Sequence, residues 1–413
     1  MFHVDKLYAS SLLHPTENVK HSAYVPVAES DTNNSQPLTN TLDNRLLFQH
    51  PEKASSDPIA LYKSALPTAT CHPATSAFSN LEPRSLGLSF SLLDDFYVNL
   101  VAWNWERLVL GVNRRVVLLH PGTGNTRPLY TMDAQWVHHR ITSLTVSADE
   151  HFVIFGTTRG GVGFVESRLG KLCLRHVIAN VGRICVLAAH PRLPLVAAGT
   201  KCGSIYLLNY RSGEIAELIG HNQEVCGLRW SNNGTQLVSG GNDSTVYVWR
   251  PDLGDLSATV CPFTSLPGHN AAVKSICWNP EMPHILASGA GSNDGCIRIF
   301  DTLTQQCLAC ISTGSQVCGV EWVDSTHLAI SCGFSANTVN IWTWNVQTYA
   351  LGQESLIAQH RCRALFLTAS RDGKRLASVA PDGRTFVWCL SERRTAKDLD
   401  VCDLSGLFSR LAM

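Results

Sequence analysis

Hydrophobic and polar positions alternate with a period of two in short runs along most of the chain. The clearest example is Gly220–Trp249, where Val225–Trp230 places successive side chains on opposite faces. A polar turn at Ser231–Gly234, a strand at Gln236–Ser239 and a tight turn at Gly240–Ser244 then lead to a third strand. Alternation interrupted by Gly, Asn and Asp is typical of short antiparallel strands. One such sheet cannot bury both of its faces, so the pattern predicts further copies.

The chain contains seven copies of this pattern. Their third strands end, in order, at Leu119, Val165, Leu208, Trp249, Phe300, Trp342 and Trp388. The spacings are 46, 43, 41, 51, 42 and 46 residues, close to the ~40–45 residues of a propeller blade. Repetition around a ring removes long exposed edges when one end of the chain pairs with the other. We therefore predict an all-β fold, a seven-bladed β-propeller of the WD-repeat type, over residues 86–390.

Two blades carry a polar set that WD-repeat propellers place between their strands. The first set is His221, Ser239, Asp243 and Trp249, and the second is His269, Ser288 and Asp294 with Phe300 in the Trp position. His, Ser and Asp together also suggest a hydrolase triad. Because the set recurs at blade spacing and no nucleophile-elbow motif accompanies it, we interpret it as structural hydrogen bonding and expect no catalytic residue.

Composition narrows the possible partners and cofactors. The 413 residues contain 33 Lys and Arg against 33 Asp and Glu, which argues against capture of nucleic acid or of a membrane surface. No apolar run approaches the ~20 residues of a spanning helix, and no secretory signal is seen. The 15 cysteines lie mostly in strands, as buried free thiols do. Cys307 and Cys310 form one C-x-x-C without a second pair, so we expect no metal and no other cofactor.

The two ends of the chain differ from the repeats. Residues 1–85 are rich in Ser, Thr, Asn and Pro, and we predict a disordered N-terminal docking tail because little apolar surface is available there. Two apolar islands interrupt it, at His21–Val27 and Asp43–Lys53. A short C-terminal tail is predicted for residues 391–413.

Four segments resemble the Fizzy and Fizzy-related family, whose members are substrate-recruiting activators of the anaphase-promoting complex, a ubiquitin ligase. These segments are Asp94–Trp103, Gly220–Asp243, Ala271–Phe300 and Thr313–Trp322. The resemblance extends from about Leu92 to Trp388, while the first three blades and the tail diverge, as in a specialised or germline offshoot. It implies a binding module with no enzymatic activity, which grips short degrons on the propeller and docks to the ligase through both tails.

The resemblance implies a receptor for the KEN-type degron across one face of the ring. Its positions fall on Asn242, Ser244, Ser292, Gln316 and Arg363, which are hydrogen-bonding residues on loops of different blades. One acidic position of the family's receptor falls on Ala102, so a partner for the lysine of the degron is missing there. A charge-assisted hydrogen bond contributes roughly 1.5–3 kcal/mol.

The resemblance also implies a destruction-box groove between the first and last blades. Asp95 matches one carboxylate that would hold the arginine of that degron. The second carboxylate falls on Gly383, with Asp382 beside it as a possible substitute, although a simple turn role for Asp382 is the stronger reading. Asp94 and Asp95 could also serve only to begin the first strand.

The ligase-docking ends depart further from the family pattern. The N-terminal box corresponds to Tyr24, Val25 and Pro26, but it lacks the family's acid and arginine. Near the C-terminus, Arg410 and Leu411 keep part of the family's final motif, while Ala412 replaces its last arginine.

The leading hypothesis is an adaptor, monomeric outside the complex, that brings degron-bearing cell-cycle proteins such as cyclins and securin to the anaphase-promoting complex for ubiquitin-dependent degradation in mitosis or meiosis. We expect it in the cytoplasm and nucleus. The alternative is a WD-repeat scaffold descended from such an activator that has lost ligase docking. A propeller enzyme is disfavoured, because no cluster of acids or His ligands is evident.

Overall fold

A computed structural model describes Phe78, residues 81–256 and residues 259–390. These residues form seven four-stranded antiparallel sheets arranged as the blades of a propeller, which confirms the predicted fold class. One 3-10 turn, at Ala134–Trp136, lies among these strands. In the described part of the chain, no helix is long and apolar enough to cross a bilayer.

The strands are numbered in chain order, and each blade takes four of them. The first three blades contain β2 to β13, at Val101–Asn104, Arg107–Val112, Arg115–Leu119, Thr126–Thr131, Ile141–Val146, Phe152–Thr157, Gly161–Glu166, Leu172–Val177, Ile184–Ala189, Leu195–Thr200, Ile205–Asn209 and Ile215–Leu218. The fourth, fifth and sixth blades contain β14 to β25, at Val225–Trp230, Leu237–Gly241, Val246–Trp249, Thr264–Leu266, Val273–Trp278, Ile285–Ala290, Cys296–Asp301, Gln306–Ser312, Val317–Trp322, His327–Cys332, Thr338–Trp344 and Leu351–Gln359. The seventh blade contains β26 to β28, at Phe366–Ala369, Arg375–Val379 and Arg384–Cys389, together with β1 at Arg84–Gly87.

The ring is closed by the first strand of the chain. β1 pairs antiparallel with β28, with Arg84 opposite Val387 and Gly87 opposite Arg384. The outer strand of the seventh blade is therefore supplied by the segment that precedes the first blade, as closure of the ring requires. The predicted boundary between tail and propeller at residue 86 falls inside β1, so the propeller begins earlier than the sequence pattern indicated.

Phe78 is a second exception to the predicted disordered tail. Its side chain is buried between hydrophobic residues of the sixth and seventh blades, and its ring lies 4.9 Å from that of His327. Burying a phenylalanine side chain stabilises the fold by about 1.5–3 kcal/mol, because apolar surface is removed from water. The tail therefore contributes to the core at this point, which its polar composition did not indicate.

Each blade packs its apolar side chains against the next blade, and glycines in the strands make room for this contact. A Cβ atom on Gly240 would lie 2.3 Å from the carbonyl oxygen of Val273 in the neighbouring blade. Such a distance is not sterically possible, so the strand keeps glycine at this position. Gly240 therefore reports contact with the next blade and not a turn: β15 continues through Gly241, whereas we predicted that a turn begins at Gly240.

The polar set of the fourth blade is a connected hydrogen-bond chain. His221 Nδ1 lies 3.0 Å from both carboxylate oxygens of Asp243, and its Nε2 lies 2.7 Å from Ser239 Oγ. Trp249 Nε1 donates to the same Ser239 Oγ at 2.8 Å. Because an ionised carboxylate only accepts, a neutral His221 carries its proton on Nδ1 and Ser239 donates to Nε2. The hydrogen bonding predicted among these four residues is therefore present in the structure.

The fifth blade satisfies its polar set differently. His269 Nε2 lies 2.7 Å from Ser288 Oγ, but Arg298 Nη1 lies 2.7 Å from His269 Nδ1. His269 Nδ1 also lies 3.3 Å from Asp294 Oδ2, but the Arg298 contact is shorter. Since arginine only donates, a neutral His269 accepts at Nδ1 and donates from Nε2, the opposite tautomer to His221. Burial and the nearby Arg298 lower the pKa of His269, which favours this neutral form. Asp294 then balances the charge of Arg298, at 2.9 Å.

Candidate functional site

The loops of the propeller lie on two opposite faces of the ring. Because neighbouring strands are antiparallel, the loop before each inner strand and the loop between its second and third strands lie on the same face. We call this the upper face; in the fourth blade it contains residues 220–224 and 242–245. The turn Ser231–Gln236, which joins the first two strands, lies on the lower face.

The segment Leu88–Val98, which we call the mouth segment, links the seventh blade to the first across the upper face. The amides of Leu88 and Leu92 donate to the carbonyl oxygens of Gly383 and Pro381 in the seventh blade, at 3.1 and 2.9 Å. Asn99 then forms a bridge to Ser143 as the chain enters the first blade. Between these anchors the mouth segment contacts several other blades.

Four consecutive side chains of the mouth segment each reach a different blade. Asp94 pairs with Arg363 of the seventh blade and Asp95 with Arg183 of the third. The Phe96 ring faces the Lys274 ammonium of the fifth blade at 5.4 Å, and Tyr97 Oη donates to Asn242 Oδ1 of the fourth at 3.1 Å. The mouth segment is therefore held over the central channel by contacts distributed around the ring.

A cavity of about 340 Å³ lies beside the mouth segment on the upper face. Its lining includes Asn242 and Ser244 from the loop between β15 and β16, Ser292 from the loop between β19 and β20, and Gln316 before β22. Four of the five residues that the family resemblance assigned to the KEN receptor thus share one cavity. Apart from Phe96, Ala271 and Ala272, most of the lining is polar, and it comes from three blades and the mouth segment.

The fifth residue, Arg363, is joined to this cavity through Gln316. Its Nη1 donates to Gln316 Oε1 at 3.4 Å, and the Phe334 ring covers the guanidinium at 4.6 Å. Its Nε donates to Asp94 Oδ1 at 3.0 Å, and Nη2 contacts the same oxygen as well as the Asp94 carbonyl oxygen at 3.3 Å. The arginine is thus positioned at the edge of the cavity, with each of its three nitrogen atoms donating to Asp94 or Gln316.

The loop that carries Asn242 and Ser244 is fixed by the polar set beneath it. Asp243 accepts from the amides of Asn222 and Thr245, both at 3.1 Å, and from His221. Burial alone would raise the pKa of Asp243, but these hydrogen bonds outweigh it and the pKa is lower than usual. The carboxylate therefore stays ionised and holds the loop in one conformation.

Sequence reasoning missed part of this site. Ala102, which marks the family's acidic position, lines a separate cavity with Glu150 and Arg371, whose turns lie on the lower face. Asp94 instead contacts the predicted receptor, and Tyr97 lines the cavity. Both lie directly before the first inner strand, in the segment Asp94–Trp103 that carries part of the family resemblance, but nothing in the sequence assigned them to the receptor.

The two residues assigned to the destruction box lie in different surroundings. Asp95 is paired with Arg183, whose Nε also bonds Glu224, and it accepts from the Tyr97 amide at 2.9 Å. Asp382 is exposed and accepts from the Arg384 amide at 2.9 Å, as a turn residue does. Asp95 is therefore directed towards the third and fourth blades, and an arginine of a peptide would have to compete with Arg183 for it.

The central channel contains three charged side chains, Arg229, Glu321 and Lys274. Arg229 of the fourth blade forms a bidentate pair with the buried Glu321 of the sixth, at 3.0 and 2.9 Å. The ammonium of Lys274 donates to the Leu365 carbonyl oxygen at 3.0 Å. Burial lowers the pKa of Lys274 to about 8. Across the described parts of the chain, no group of three or more His, Cys, Asp or Glu is placed to hold a metal ion.

The ligase-docking residues predicted from the sequence, Tyr24, Val25, Pro26, Arg410 and Leu411, lie outside the described residues. Within those residues, the fold and the polar cavity together define a WD-repeat propeller with a cavity of about 340 Å³ on its upper face.

Comparison with known proteins gives the family. Residues 90–388 match the CDC20/Fizzy WD40 domain, so the chain belongs to the CDC20/Fizzy family. It is 31% identical over 301 residues to "Cell division cycle 20.1, cofactor of APC complex" of Arabidopsis thaliana, covering 72% of this chain and 64% of the relative. It is 32% identical over 302 residues to "B-type cell cycle switch protein ccs52B" of Medicago truncatula, covering 72% and 59%. The match thus spans less than two thirds of these relatives.

A solved structure is similar over a longer stretch. A chain of the "Crystal Structure of Mitotic Checkpoint Complex" shares 26% sequence identity with this chain at a TM-score of 0.67, covering 84% of this chain and 99% of that one. The family resemblance seen in the sequence is therefore confirmed, and the propeller is a member of a family whose relatives are named as cofactors or subunits of the anaphase-promoting complex.

Proposed function

We propose that this chain is a substrate-recruiting adaptor of the anaphase-promoting complex, which binds KEN-type degrons in the cavity on its upper face. The observation that carries the proposal is the convergence of Asn242, Ser244, Ser292 and Gln316 on one cavity, with Arg363 bonded to its rim. Amide and hydroxyl groups suit the polar side chains and backbone of an extended peptide, and Arg363 suits a carboxylate. Family membership supports the same role.

The mechanism requires no bond chemistry in this chain. The adaptor holds a short peptide by hydrogen bonds and brings the attached protein close to the ligase, so that its local concentration near the catalytic subunits rises. Affinity for the peptide alone need not be high, because each added tether multiplies the effective concentration. Cell-cycle proteins bearing KEN or destruction-box sequences are the expected substrates.

Peptide binding tests the receptor directly. The triple variant Asn242→Ala/Gln316→Ala/Arg363→Ala should lose binding of a fluorescent KEN peptide measured by anisotropy. The matched control, Asn125→Ala/Arg211→Ala/Gln347→Ala, removes the same residue types from exposed lower-face turns and should bind normally. Thermal unfolding of both variants checks that the ring is intact. Unchanged binding by the first variant would eliminate this cavity as the receptor.

A second function, a scaffold without ligase docking, is favoured by one specific observation. The segment that contains Tyr24, Val25 and Pro26 lacks the acid and arginine of the family's N-terminal box. Immunoprecipitation from dividing or meiotic cells separates the two functions: an adaptor brings ligase subunits with it, and Tyr24→Ala/Pro26→Ala reduces their recovery. A chain that binds KEN peptides but recovers no ligase subunit is the scaffold.

A further inference from the structure

We infer that Asp94 is an internal competitor for the degron, because its carboxylate occupies the guanidinium that would receive the acidic residue of the peptide. This inference rests on the proposed function. It assigns to Asp94 the role of a specificity-determining residue, which sets how much an acidic side chain contributes to peptide affinity. The family resemblance does not point to this role. From the sequence, the role considered for Asp94 was only to begin the first strand.

The hydrogen bonds of Arg363 show that the site is already filled. A guanidinium receives a carboxylate best through two parallel donors on one edge. Asp94 Oδ1 takes both Nε and Nη2, and Gln316 Oε1 takes Nη1. Phe334 covers one face of the group, and the arginine side chain is only 11% exposed. A carboxylate that approaches from solvent therefore finds no free edge unless Asp94 leaves.

The surroundings of Asp94 allow it to leave. Its side chain is 57% exposed, so the carboxylate regains water at little cost when its pair with Arg363 breaks. Its neighbours in the mouth segment are held independently, Asp95 by Arg183 and Tyr97 by Asn242. A change of rotamer at Asp94 would thus open Arg363 without displacing the rest of the mouth segment.

The consequence is an exchange of one ion pair for another. When a degron glutamate binds Arg363, the gain is offset by the lost pair with Asp94, so the glutamate should add little to affinity for the wild-type protein. Without the charge at residue 94, the same glutamate pairs with an unneutralised arginine and should contribute fully. Specificity here is the difference between the affinities for a peptide with the glutamate and for one without it. The carboxylate of Asp94 makes that difference smaller.

The experiment is a binding cycle with two proteins and two peptides, run by fluorescence anisotropy at fixed ionic strength. The proteins are wild type and Asp94→Asn, which keeps the size and the acceptor oxygen but removes the charge. The peptides contain Lys-Glu-Asn or Lys-Gln-Asn. Asp94→Asn should bind the Lys-Glu-Asn peptide about tenfold more tightly than wild type and the Lys-Gln-Asn peptide no more tightly, since a partly exposed charge-assisted pair is worth about this much.

Asp133→Asn is the matched control. It removes one negative charge from an exposed upper-face position that does not contact Arg363, and asparagine can still accept the hydrogen bond that Asp133 receives from the Gln135 amide at 2.9 Å. It should leave both affinities unchanged. An equal gain with Asp133→Asn would indicate general electrostatic attraction and overturn the assignment to Asp94.

Two outcomes separate this inference from the proposed function. If Arg363→Ala does not weaken binding of the Lys-Glu-Asn peptide, the receptor itself has been misassigned and the proposed function loses its support. If Arg363→Ala weakens binding but Asp94→Asn leaves it unchanged or weaker, Asp94 orients the arginine instead of competing for it. In that case only the inference about Asp94 is wrong.

Discussion

The Ser239 hydroxyl connects the polar set of the fourth blade, and its removal gives a sharp test of what that set contributes. Ser239 is fully buried and bonds both His221 Nε2 and Trp249 Nε1. Ser239→Ala leaves two buried nitrogen atoms without partners. Each unsatisfied buried group costs about 1–3 kcal/mol, so we expect the variant to lose about 3 kcal/mol of unfolding free energy.

Ser331 in the sixth blade supplies the matched control. It is equally buried, but its hydroxyl makes no hydrogen bond to any described residue. Ser331→Ala removes the same atom without breaking a bond, and it relieves the cost of burying an unsatisfied hydroxyl. Its stability should therefore equal or exceed that of the wild type.

Thermal unfolding followed by circular dichroism, with a fixed scan rate, compares the two variants. For a domain of this size, 1 kcal/mol corresponds to roughly 2 °C in Tm. Ser239→Ala should therefore lower Tm by about 6 °C, while Ser331→Ala should leave it unchanged or raise it slightly. Equal shifts for the two variants would refute the reasoning, because they would show that burial of a serine and not its hydrogen bonds sets the cost.

Three further predictions concern pH and chain closure. Burial lowers the pKa of Lys274 to about 8, below its ordinary value. The free-energy cost of burying the charged ammonium therefore applies in full below pH 8 and decreases as pH rises towards about 10.5. Lys274→Met should therefore raise the free energy of unfolding by about 1–2 kcal/mol at pH 7. Urea unfolding at a series of pH values should show that this difference from the wild type disappears near pH 10.5. Burial also lowers the pKa of His360 to about 4, so stability should be lost as pH falls from about 6.5 to 4. His360→Gln can keep the bond to Ser378, which is 2.8 Å in the wild type, and should unfold in urea with less dependence on pH in that window; an identical pH profile would contradict this assignment. A chain that begins at Leu88 lacks β1 and exposes the edge of β28, so it should melt lower and aggregate more in size-exclusion chromatography than one that begins at Phe78; equal behaviour would show that β1 is dispensable.

The sequence predicted the blades well because blade structure is local. All seven third-strand ends that the alternation indicated, from Leu119 to Trp388, fall in or at the end of the third strand of a blade. Period-two alternation reports which face of a strand is buried, and this is fixed by immediate neighbours. The predicted end of the strand before Gly240 was wrong. This glycine is required by its contact with Val273 of the next blade, and a local sequence pattern cannot show such a contact.

The candidate site was only partly predictable, for the same reason. The family resemblance indicated Asn242 and Gln316, because they lie in recognisable motifs. Neither alternation nor composition could show that Asp94 reaches Arg363, which is 269 residues away in the chain. Contacts of this kind depend on closure of the ring, since Arg363 and the mouth segment belong to opposite ends of the propeller sequence. Closure thus creates a pairing that no single repeat contains.

The structure also bears on how strongly such a receptor can bind. The cavity is open on the upper face, and much of its hydrogen-bonding capacity is already used internally: Asn242 bonds Tyr97 and Gln223, and Gln316 bonds Arg363. A peptide that exchanges existing hydrogen bonds for equivalent new ones gains little from each, because only the difference between bound and free states contributes. For the receptor that we propose, this arrangement favours weak, rapidly reversible capture of a short peptide, and the proposed adaptor would depend on additional tethers to reach high affinity. Weak capture has a functional consequence, since a substrate that dissociates quickly can be replaced after modification without any change in the ring.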